Sequence, residues 1–127
     1  LAPQEAIRRL VEFTFDHHDR NVDFVRIVSI ENIHNAEFVK QSQPIKAMNN
    51  TILDSLGVIL SRGAEEGIFR QGLIALDVHL LISSFCFYRV SNRHTIGEIF
   101  QIDLPSEAIK QRHREMICES VLRYLQA

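Results

Sequence analysis

Glycine and proline are scarce in this sequence, 5 and 3 residues in 127, and cysteine occurs only twice. The first two shortages exclude a collagen-like or low-complexity chain, and 46% hydrophobic with 24% charged residues fits an ordinary globular protein rather than a disordered one. A chain of this length buries roughly two-thirds of its unfolded surface and needs no staples to hold a core. Cys86 sits inside an apolar run and Cys118 far along the chain; their spacing fits neither a zinc knuckle nor a CxxC redox pair, so buried, reduced thiols are expected. Positive charge is not in surplus either. With a formal net charge of −2, residues 1–127 lack the basic excess that neutralising several phosphates requires.

Long hydrophobic runs are also missing. The most apolar stretch, Val78 to Val90, is interrupted by Ser83, Ser84 and Arg89 and is too short and polar to span a bilayer. With no signal-peptide pattern, the expected location is the cytoplasm, with no membrane partner. No GxSxG, HExxH, Walker or Rossmann string is present, and Ser, His and Asp fall in no order that reads as a triad. The expectation is a non-enzyme without cofactor or metal.

What the sequence does carry is helical periodicity. Ile7, Leu10, Val11, Thr14, Phe15 and His18 step by three and four, which predicts a first helix from about Pro3 to His18. Asn21 suits an N-cap for a second helix whose Val22, Phe24, Val25, Ile27, Val28, Ile30 and Ile33 leave little room for a polar stripe, as in a helix covered on most sides. Pro44 opens a third, running through Ile45, Met48, Ile52, Leu53, Leu56, Ile59 and Leu60 to about Glu66, where Gly67 ends it in a left-handed cap. Phe69 then anchors a tight connection ending at Gly72. Asp77 caps a fourth helix to about Arg93, apolar nearly all round. A short helical turn near Ile96 to Phe100 follows, and Pro105 and Ser106 introduce a last helix with Ile109, Met116, Ile117, Val121, Tyr124 and Leu125 on one side.

No strand pattern competes, and no repeat or low-complexity segment appears. The fold class expected is all-α, a compact bundle of about five helices forming a single domain over residues 1–127. Five helices can shield one central helix but not the second and fourth together, so the surplus apolar surface of the fourth predicts an oligomer interface.

Four strings together carry a resemblance: FTFDHHDRNVDFVRIVSIENIH, Ile59-Leu60-Ser61-Arg62-Gly63, GIFRQG, and DVHLLISSFCFYRVSNRHTIGEIF. The chain resembles the C-terminal, ligand-binding half of TetR/AcrR-type transcriptional regulators over almost its whole length. That resemblance implies an effector-binding domain that forms a homodimer through its last two long helices. The helix-turn-helix that reads DNA would lie in a preceding segment not present before Leu1, so DNA is expected as a partner only through that segment. It further implies a two-state dimer: a small-molecule effector of unknown identity enters among the first four helices, shifts their packing and changes the spacing of two DNA-binding heads. Phe15, Glu31, His34, Phe85, Tyr88 and Arg89 are the candidate effector contacts, and Phe87, Ile117, Val121 and Tyr124 the candidate dimer contacts.

Each constellation also has a plainer reading. Glu31 and His34 have the i, i+3 spacing at which a carboxylate and an imidazole can meet one ion, but a di-iron bundle needs a second such pair and two further glutamates, so a helix-to-helix hydrogen bond is preferred. Asp16, His17, His18 and Asp19 crowd the end of the first helix, where protonated imidazoles suit its negative terminus, and since adjacent positions point in different directions a structural role is preferred over a metal. Arg89 and Arg93 either pin the fourth helix to an acid such as Glu31 or clamp a carboxylate effector; the ion pair is preferred. The basic run Lys110, Arg112, His113 and Arg114 reads as a solvated face. The rival to the sensing domain is a helical interaction module without an effector, and a roomy internal cavity separates the two.

Overall fold

A computed structural model describes residues 1–127 as an all-helical chain. The first helix, α1 (Pro3–Arg20), places Pro3 in its opening turn, where a missing N–H costs nothing. It buries Ile7, Val11 and Phe15, the i, i+4, i+8 stripe that the periodicity predicts. Asn21 ends this helix: its backbone N–H and its Nδ2 both donate to the His17 carbonyl, at 3.0 and 2.8 Å. The side chain expected to cap the second helix is therefore spent on the first.

The second helix, α2 (Val22–Ile33), differs most from expectation. Only Val25 is fully buried, and Phe24, Ile27, Ile30 and Ile33 are exposed. It packs mainly on α1 and on the fourth helix, which leave most of its surface uncovered. It ends where Asn35 and Ala36 take positive φ, 58° and 59°, and a 3-10 turn at Val39–Gln41 leads on.

Ser42 caps α3 (Gln43–Glu65), its Oγ accepting from the Ile45 N–H. Residues 43–52 are almost wholly exposed, whereas Leu56, Leu60 and Gly63 enter the core. Gly67 closes the helix with φ +73°, as its sequence context predicts. Phe69 is buried against Gly63, where a Cβ would lie 2.0 Å from the ring. The same turn is tied to the C-terminus by an antiparallel bridge: the Arg70 N–H donates to the Leu125 carbonyl at 2.8 Å and the Ala127 N–H to that of Ile68 at 3.1 Å.

Next comes α4 (Ala75–Ser91), which begins two residues before the expected cap at Asp77 and touches all five other helices. It is the central element, the place expected for α2. Val78, Ile82 and Cys86 join Ile7, Val11, Phe15, Leu56, Leu60 and Phe69 in one core. The short turn expected near Ile96 is a full helix, α5 (Arg93–Phe100), stopped by Gln101 at φ 53°, which makes the helix count six rather than five. The last helix, α6 (Glu107–Leu125), buries Ile117, Cys118, Val121 and Leu125 and leaves Met116 and Tyr124 largely exposed. No helix is long and apolar enough to cross a membrane.

Candidate functional site

Arg89, on the last turn of α4, is the one charged side chain inside the protein, 4% exposed. Burying a guanidinium carries a large desolvation cost unless partners surround it. Four do. Its Nη2 donates to the Leu104 carbonyl at 3.1 Å, its Nη1 to Asp19 Oδ1 at 3.4 Å, and its Nε to His113 Nδ1 at 3.4 Å. Its carbon lies 4.6 Å from the centroid of the Phe15 ring, a cation–π contact. Asp19 is shared with α6, since Lys110 Nζ lies 3.0 Å from its Oδ2, and that carboxylate holds the lysine pKa above its ordinary value. Helices α1, α4 and α6 and the α5–α6 link thus meet at one guanidinium.

By accepting from Arg89, His113 Nδ1 places the imidazole proton on Nε2 and keeps the ring neutral. Burial chiefly, and then the charges of Arg89 and Arg112, push the His113 pKa down. Phe85 meets this ring edge-on at 5.5 Å. His18 is also held below its ordinary value by burial, against the opposing effect of its Nδ1 bond to the Thr14 carbonyl at 2.7 Å.

A second junction lies further along the same helix pair. Arg114 grips Asp16 with two donors at 3.0 and 2.9 Å and Glu12 with a third at 2.9 Å. The acids Glu12, Asp16 and Asp19 form an i, i+4, i+7 stripe on α1, and Lys110 and Arg114 an i, i+4 pair on α6. These two basic residues are therefore interhelical partners, a correction to the solvated face expected of the run; Arg112 alone among its cations is exposed. Within the Asp16 to Asp19 cluster, the two acids are engaged in these interhelical ion pairs. Cys86 and Cys118 are buried and free, with burial pushing their thiols up to about 12 and about 11, so both remain protonated.

Of the six candidate effector residues, the structure brings Phe15, Phe85 and Arg89 together around His113. Tyr88, one residue away, faces solvent. Glu31 and His34 stand apart at the end of α2, where Glu31 Oε2 accepts from the Val39 N–H at 3.2 Å and His34 is exposed. The acid that pairs with Arg89 is Asp19, not Glu31. Among the dimer candidates, Ile117 and Val121 are closed inside the subunit's own core, so they offer no surface to a partner. Phe87 is half-buried, its ring edge-on to His18 at 6.1 Å, and Tyr124 stays accessible beneath the Arg70 guanidinium, 4.7 Å from its ring centroid.

Asp19, Leu104 and His113 were not predicted as partners of Arg89, nor Lys110 as a partner of Asp19. For Asp19 a signal exists: the acidic stripe on α1 has nearly the same helical spacing as that helix's buried residues, which places it at the edge of the core. The Leu104 carbonyl has no sequence signature.

The family described as "Tetracyclin repressor-like, C-terminal domain" matches residues 3–121, nearly the whole chain. The chain belongs to the TetR family, as a C-terminal domain. It is 32% identical over 123 residues, 97% of its length, to the HTH-type transcriptional repressor NicS of Pseudomonas putida (strain KT2440). It spans 58% of that repressor's length. For this TetR-family domain, the match places the helical bundle and its charged junctions within the C-terminal domain of such regulators.

Proposed function

We propose that residues 1–127 form the effector-sensing and dimerising part of a TetR-type transcriptional repressor, acting on DNA through a segment outside these residues. The observation that carries the dimer is the outer face of α4. Leu76, Leu80, Ser84 and Tyr88 recur every four residues along it, and Leu80 and Tyr88 are 56% and 54% exposed although the opposite face of the same helix is the centre of the core. Beside it, α6 leaves Met116 and Tyr124 accessible. A stable pair buries roughly 800 Å² per partner, and two long antiparallel helices from each copy, packed as a four-helix seam, supply a surface of that kind. The contacts proposed are thus Leu80, Tyr88, Met116 and Tyr124, in place of Ile117 and Val121.

Light scattering tests this directly. The parent chain is expected as a dimer, and Leu80→Asp with Tyr88→Asp as a monomer of unchanged helicity. A parent that stays monomeric at high concentration overturns the seam. Effector-free scaffolding is the second reading, favoured by the burial of Phe15, Ile82, Cys86 and Cys118 at the centre of the bundle. It predicts a dimer whose DNA affinity, in the full-length protein, no small molecule changes. Coupling of ~1–3 kcal/mol between ligand and DNA is the result that favours sensing instead.

A further inference from the structure

Beside the Arg89 junction lies a recess of about 120 Å³, lined by three cations, Arg89, Arg93 and Lys110, by one carboxylate, Asp19, and by apolar walls from Leu104 and Pro105. Its lining carries two more positive than negative charges. Glu107, 3.9 Å from the Lys110 ammonium, is exposed, and solvent screens its charge.

The cations are also unevenly satisfied. Arg93 is half-buried yet makes no hydrogen bond and no ion pair, leaving its five N–H donors free. Arg89 reaches Asp19 only at 3.4 Å, beyond the ~2.7–2.9 Å of a well-formed charged hydrogen bond, whereas Arg114 achieves 2.9 Å with both of its acids. The first turn of α6 contributes in the same sense. Ser106 offers it no side-chain cap, so the N–H groups of Glu107, Ala108 and Ile109 have no capping acceptor, and the positive end of the helix dipole lies at this end of α6.

We infer that this recess binds a compact oxyanion, the carboxylate or phosphate group of a small molecule, held by Arg93 and Lys110 with Arg89 behind them. The volume supports a group rather than a whole ligand, since water occupies ≈ 30 Å³ per molecule and drug-sized sites run to ≈ 300–1,000 Å³. A wider, open depression of about 630 Å³ along α5 shares Arg93, Leu104 and Pro105 with the recess and leaves room for the rest of a molecule. The bound anion competes with Asp19 for Lys110 and Arg89, and so loosens the grip of α4 and α6 on the end of α1. This last consequence rests on the regulatory reading above; binding itself does not.

Titration with acetate and, separately, inorganic phosphate, followed by NMR shifts of the Arg93 and Lys110 amides against sodium chloride at equal ionic strength, tests the site. Saturable shifts with either anion are expected, acetate identifying a carboxylate site and phosphate a phosphoryl site. Arg93→Gln, which breaks no existing contact, weakens binding about tenfold, the loss of one charged donor. Asp19→Asn removes the resident competitor and tightens binding, the opposite of what simple damage to the fold produces. Shifts no larger than those with chloride, or an Arg93→Gln protein that binds as well as the parent, overturn the site. An unchanged affinity in a folded Asp19→Asn protein overturns the competition.

Discussion

The two halves of α3 carry the same pattern and meet different fates. Ile45, Met48 and Ile52 in the front half are spaced like Leu56 and Leu60 in the rear half, yet the front half is exposed while Leu56 and Leu60 sit in the core. The same contrast separates α2 from α4, both apolar nearly all round: α4 touches five helices, and α2 packs mainly on two. Periodicity tells which side of a helix is apolar; whether anything stands opposite is decided by the path of the rest of the chain. The molecule therefore has a closed side built from α1, α4, α6 and the rear of α3, and an open side made of α2, the Asn35–Ser42 connection and the front of α3.

The sharpest break of this comparison comes at the tightest contact of the closed side. Phe69→Ala empties a buried ring position and is expected to cost ~3–5 kcal/mol. Gly63→Ala drives a methyl into the same ring, expected to cost ~1–3 kcal/mol by overpacking. Because both act on one contact, denaturant unfolding of the double variant should show less than the sum; strict additivity would mean that the ring and the glycine are not coupled.

A matched pair within α3 comes next. Leu60→Ala, at a position 4% exposed, is expected to lose ~2–5 kcal/mol. Ile52→Ala, at a position 41% exposed, is expected to stay within ~0.5 kcal/mol, as surface changes do. Equal losses in urea melts would show that the front half of α3 packs as firmly as the rear, and would erase the two-sided description.

The smallest effect concerns pH. His18 and His113 are both held below their ordinary value of 6.5 by burial, so the unfolded chain takes up protons first on acidification. Stability is complete above about pH 6.5 and declines as pH falls below it, toward the depressed folded-state values. In His113→Gln that decline should flatten, with the melting temperature followed across the interval. An unaltered slope would remove His113 as a source of acid sensitivity.

Much of this was legible beforehand. The first helix, the Gly67 stop, the anchoring of Phe69 and the buried thiols follow from spacing and turn chemistry alone. The central role went to α4 rather than α2 because apolar content cannot rank two candidates for one interior place. Asn21 was misassigned because the residue between two helices can serve either, and the His17 carbonyl won. At the candidate site, Arg89 was identifiable as a charge in an apolar run. Its partner Asp19 was legible only as an acid at the edge of the core; which cation it meets depends on the relative rotation of α1 and α4. Ile117 and Val121 were assigned outward for the same reason: one apolar stripe on the last helix was read as facing a second copy, when its own core had first claim on it.

The antiparallel tie between Ile68–Arg70 and Leu125–Ala127 makes the α3–α4 turn and the end of α6 a single latch. Neither can open alone, for the amide of Arg70 is protected only while Leu125 is in place, and that of Ala127 only while Ile68 is. Amide exchange at these two positions should therefore proceed as one event, and loss of the last residues would be felt as slack at the Gly63–Phe69 contact.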